Sequence, residues 1–87
     1  MNEILKIPTL TFHKLPDEEN AYGCKTALGF YGYRVDDDGI TVFYDFGFGD
    51  QGEMVRTGNA IAAQRACNAD FTARVKEALG MNMEIAA

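Results

Sequence analysis

The chain has no serine, which excludes every mechanism built on a serine nucleophile. One histidine and two cysteines cannot supply four ligands, so a zinc site made from His and Cys alone is excluded as well. No apolar run approaches the roughly 18 residues needed to span a bilayer. Basic residues are scarce: eight Lys and Arg stand against thirteen Asp and Glu, a net charge of −5. A surface so short of positive charge is poorly suited to replacing the counterions of a duplex, so direct binding to duplex nucleic acid is not expected. What remains is a globular balance, 47% hydrophobic and 24% charged, in 87 residues. That length leaves room for one domain, 1–87, and no second.

The opening Met1-Asn2-Glu3-Ile4-Leu5-Lys6 carries an acid where a signal peptide would be basic, and Pro8, Thr9 and Thr11 interrupt the apolar stretch that would follow. A cytoplasmic protein is expected. Cys24 and Cys67 are then expected as reduced, buried thiols rather than a bridge.

Three strand-like segments come first. Residues 4–14 are β-branched and apolar, with a change of parity near Pro8 that suits a bulge or an edge position. Residues 22–35 are strand-like but carry Gly23, Gly29 and Gly32, each a mark of a bend or a close backbone approach. Residues 40–48 alternate: Ile40, Val42, Tyr44, Phe46 and Phe48 on one side, Thr41, Phe43, Asp45 and Gly47 on the other. Asp38-Gly39 is the hairpin signal between the last two segments. A two-residue loop there sets Tyr33 opposite Tyr44 and Tyr31 opposite Phe46, gathering those rings on one face, while Phe30 and Phe43 project from the other.

From Thr57 the period changes. Ala60, Ala63, Cys67, Phe71, Val75 and Ala78 are spaced by three and four residues, the stripe of one helix over about 57–79. Thr57 suits its N-cap and Gly80 its C-terminal stop. The short tail 81–87 alternates and suits a fourth strand or a frayed end. The expected fold is therefore α+β: an antiparallel sheet of three or four strands with one long C-terminal helix packed on one face.

Residues 1–55 hold ten acids and four bases, whereas 56–87 hold three acids and four bases, so the sheet half is the acidic half. Gly47-Phe48-Gly49-Asp50-Gln51-Gly52 matches the dinucleotide pattern G-x-G-x-x-G. Four residues then separate its last glycine from Thr57, and Asp50 and Glu53 would repel phosphates. Asp45-Phe46-Gly47 repeats a kinase tripeptide in a chain too short for a kinase. Asp36, Asp37 and Asp38 lack the spacing of a calcium loop. His13 with Cys24 or Cys67 could pair as base and thiol, but no third group to orient them can be named. No catalytic residue, metal site or cofactor is assigned.

Eight of the ten aromatic residues lie between Tyr22 and Phe48. One helix covers one face of a small sheet, so rings remain on the other, which suggests an interface with a second copy or with a partner. The expected function is a small acidic non-enzymatic binding protein that meets a protein with a basic surface, as phage and mobile-element inhibitors do. Tyr31, Tyr33, Tyr44 and Phe46 are the expected ring anchors and Asp36, Asp37 and Asp38 the acidic rim. The alternative is a small-ligand or metal-binding domain that uses the Gly47–Gly52 turn and nearby carboxylates. The order of hairpin, glycine-rich turn and alanine-rich helix over 33–79 is loosely similar to small partner-binding antitoxin domains of the HicB type. No shared motif carries a residue role across.

Overall fold

A computed structural model describes the backbone of residues 7–86 and the side chains of residues 7–79. It is α+β: β1 (His13–Lys14), β2 (Ala21–Lys25), β3 (Phe30–Asp36), β4 (Gly39–Asp45) and β5 (Gln51–Thr57), then α1 (Ala60–Ala86). The strands form one antiparallel meander in the order β1-β2-β3-β4-β5, and the helix packs on β3, β4 and β5. No helix among the described residues is long and apolar enough to cross a membrane.

Five strands replace the expected three or four. The 22–35 segment is two strands, folded back at Thr26–Gly29, where the Thr26 hydroxyl donates to the Gly29 carbonyl at 2.7 Å and accepts from the Gly29 amide at 3.1 Å. The 4–14 segment is strand only at His13–Lys14; its residues 4–6 lie outside the described residues. Ile7, Leu10 and Phe12 instead pack on the core, and the Leu10 amide donates to the Asn68 side-chain oxygen of α1 at 2.8 Å. β5 had no clear sequence signal. Only Met54 and Val55 are apolar in it, and a bulge between the Val42–Val55 and Phe43–Glu53 pairs inserts Met54 and breaks the period of two.

The β3–β4 loop consists of Asp37 and Asp38, with Asp36 opposite Gly39, so Asp38-Gly39 is not the loop. A primed turn needs positive φ at the first loop residue, but only Gly39, at +138°, has it here. The register therefore differs by two residues from the expected one: Tyr33 opposes Val42 and Tyr31 opposes Tyr44. A shift of two preserves which side chains share a face, whereas a shift of one would have exchanged them.

The helix begins later than Thr57. Asn59 caps it, accepting the Ala62 amide on its side-chain oxygen at 2.8 Å. It runs through Gly80 and continues over 81–86 in place of a short strand. Its stripe is the expected one as far as Val75: Ala63, Cys67 and Phe71 are buried against Tyr31, Tyr33, Ile40 and Val42, flanked by half-buried Ala60 and Val75, whereas Ala78 is exposed. Ala63 and Cys67 are fully buried under the sheet, and the Phe71 ring packs edge-on to Tyr31 at 6.2 Å.

Candidate functional site

The helix covers the face that carries the tyrosines. Tyr31 is fully buried, and its hydroxyl donates to Asp70 Oδ2 at 2.6 Å. The same oxygen accepts from Arg74 Nε at 2.7 Å, and the Arg74 guanidinium lies 4.4 Å from the centre of the Phe46 ring. Tyr33 is buried between Phe12 and Tyr22, with ring centres 5.4 and 5.2 Å away, and its hydroxyl accepts from Gln64 at 3.0 Å. Tyr44 and Phe46, half-buried and 5.0 Å apart, pack on the edge of this core. Contact anchors must be accessible, so Tyr31 and Tyr33 are corrected to core residues, whereas Tyr44 and Phe46 keep part of their surface exposed.

The three aspartates part company at the hairpin. Asp36 closes a network with Arg34 at 3.7 Å and Arg56 at 3.9 Å. Between them, the buried Thr41 hydroxyl donates to Asp36 at 3.3 Å and accepts from Arg56 at 2.7 Å. Asp37 and Asp38 are exposed at the tip, with no ion pair among the described residues.

Among the described residues, no element lies over the other face of the sheet. Phe30 and Phe43 stack there with ring centres 6.0 Å apart, both half-buried. Phe30 lies over Gly23 and Phe43 over Gly32, where any side chain would collide with the rings. The Arg34 guanidinium lies 5.9 Å from the centre of the Phe43 ring. Phe30, Arg34, Phe43, Asp45 and Gln51 line an open groove of about 400 Å³. The glycines of β2 and β3 were legible as points of close approach; that they seat these two rings follows only from the register.

The Gly47–Gly52 segment is a closed loop running into β5, not the start of a helix. Its amides bond internally: Phe46 N to Asp50 O at 2.9 Å, Asp50 N to Gly47 O at 2.9 Å, and Gly47 N to Asp45 Oδ1 at 2.9 Å. The arrangement that presents free amides of a helix start to a pyrophosphate is therefore not formed here. Gly47, Phe48 and Gly49 have φ of +85°, +55° and +83° in succession, and Phe48 is fully exposed. A bulky side chain in the left-handed region costs roughly 1–3 kcal/mol, and this ring gains no burial in return. Alternation alone puts Phe48 at a strand end; the signal for its true setting is an aromatic residue between two glycines.

No three His, Cys, Asp or Glu side chains gather into a metal-binding group among the described residues. Burial, with Asp70 nearby, pushes the Cys67 thiol up to about 12, so it stays protonated and poorly nucleophilic at neutral pH. Burial and the bond to Asp70 likewise raise the Tyr31 hydroxyl. Both groups fold as neutral acids, so their stabilisation is complete below their ordinary values of 9.0 and 10.0. The Cys67 contribution is lost as the pH rises beyond 9.0 toward about 12, and the Tyr31 contribution as the pH rises beyond 10.0. Urea melts from pH 8 upward are expected to show constant stability to about pH 9 and a steady fall thereafter. A Tyr31→Phe variant should show a shallower fall. An equally steep one would mean that the hydroxyl does not contribute.

Comparison with protein-family models, with curated proteins and with solved structures found no match for this chain in any of the three.

Proposed function

We propose that the chain is a non-enzymatic binding protein acting through protein–protein contact, with its uncovered sheet face and hairpin tip toward a partner bearing a basic surface. An inhibitor of the phage or mobile-element kind is one such protein. The observation that carries this reading is the Phe30–Phe43 stack, left half-exposed on the face away from the helix. Stacked rings with fixed geometry are good contact anchors because they bring large area at small entropic cost. Asp37 and Asp38 supply negative charge at the tip, which suits a basic partner and mainly speeds encounter.

The test is affinity capture from a host lysate with wild type, Phe43→Ala and Asp37→Lys/Asp38→Lys, each checked for folding by circular dichroism. The captured protein is then purified and titrated against all three. Phe43→Ala is expected to weaken binding at least tenfold, as an anchor worth ~2 kcal/mol would. The charge reversal is expected to slow association and flatten its salt dependence. Equal affinity in all three proteins would remove both the sheet face and the tip from the contact.

A further inference from the structure

Phe48 and the open groove are complementary features at the same end of the sheet. The Phe46–Asp50 loop joins Asp45 to Gln51, and both of these residues line the groove. The ring stands fully exposed on a backbone held at positive φ, while the groove beside it offers two half-buried rings and about 400 Å³ of open space. We infer that the occupant of this groove is Phe48 of a second copy, the two copies exchanging rings across a two-fold axis.

Three observations favour a second copy. The groove is floored by Phe30 and Phe43, so it suits an aromatic edge or face. Arg34 and Asp45 both line the groove and Asp50 adjoins Phe48 in the loop, so the acid that comes with the ring seats against Arg34 and away from Asp45. The ring and the groove are neighbours on one molecule, so a single two-fold interface can hold both insertions, and such an interface closes at two copies. One ring from each copy buries far less than a standard interface, so the dimer is weak and reversible, forming at high micromolar concentration. This inference does not rest on the reading above. A partner for the sheet face would compete with the second copy for Phe30 and Phe43.

Sedimentation equilibrium from low micromolar to near-millimolar protein tests it. Wild type is expected to rise from 9.6 kDa toward twice that mass and no further. Phe48→Gly and Phe48→Asn, both compatible with positive φ, are expected to stay monomeric, with melting temperatures equal to or above wild type. Gln51→Trp, which sets an indole at the groove's edge, should abolish the dimer while leaving Phe48 in place. Wild type that stays at monomer mass overturns the inference, as does open-ended growth. A dimer that survives loss of Phe48 overturns it too. Retention of the dimer in Gln51→Trp alone would place the ring somewhere other than this groove and overturn the exchange.

Discussion

A Tyr31→Ala variant is expected to lose about 3–5 kcal/mol of stability, the cost of removing a large ring from a packed core. Small domains hold only about 5–15 kcal/mol in total, so this one substitution should leave the protein marginally folded. The site makes the size of the effect understandable. Tyr31 is fully buried, its ring meets Phe46 and Phe71 edge-on at 5.4 and 6.2 Å, and its hydroxyl reaches Asp70 on α1. Alanine would leave a cavity where β3, β4 and the helix meet, too enclosed for its neighbours to close.

Tyr31→Phe separates the ring from the hydroxyl. The ring contacts remain, and Asp70 keeps its bond to Arg74, so no carboxylate is stranded. The loss should be about 1.5–3 kcal/mol, that of one hydrogen bond to a charged acceptor. Chemical denaturation of both variants measures the pair. A loss below about 1 kcal/mol in Tyr31→Ala would return Tyr31 to the accessible surface, because exposed substitutions seldom exceed about 0.5 kcal/mol.

Which side of the sheet the helix would cover was not written in the strands. Parity alone divides Tyr31, Tyr33 and Tyr44 from Phe30 and Phe43, and that division holds in the fold. Both sets are aromatic, however, and periodicity does not say which one meets a helix. The helix stripe was legible because Ala63, Cys67 and Phe71 recur at helical spacing over several turns. β5 was not, since an edge strand with only Met54 and Thr57 half-buried has little need to alternate, and Met54 at the bulge shifts the count by one. The cap moved from Thr57 to Asn59 for a related reason: Thr57 is still paired with Ile40 in the sheet, so the chain turns only after it. The acids were legible as acids. Only the fold distinguishes Asp36, tied to Arg34 and Arg56, from the two exposed carboxylates that follow it.

A Gly29→Ala variant is expected to be nearly as damaging as Tyr31→Ala, at about 3 kcal/mol or more, although it adds a single methyl group. Two costs coincide there. Gly29 has φ of +147°, a conformation that a side chain adopts only under strain of roughly 1–3 kcal/mol. The added carbon would also stand 2.8 Å from the Asp45 carbonyl oxygen and 2.9 Å from Phe46 Cα. A ring can swing away from a methyl group, but these are backbone atoms, and relief requires β3 and β4 to part at the end that carries Phe46. Overpacking of that kind costs a further ~1–3 kcal/mol. Gly58→Ala is the control, because Gly58 lies at ordinary φ with nothing within 4 Å of the added carbon. It should be neutral or stabilise by up to about 1 kcal/mol through the unfolded chain. Thermal melts of the two variants side by side are decisive: similar small effects would mean that the Thr26–Gly29 turn does not hold β3 against Phe46. A large loss at Gly29 alone would establish that turn as the clamp fixing the end of the sheet from which the Phe48 loop projects.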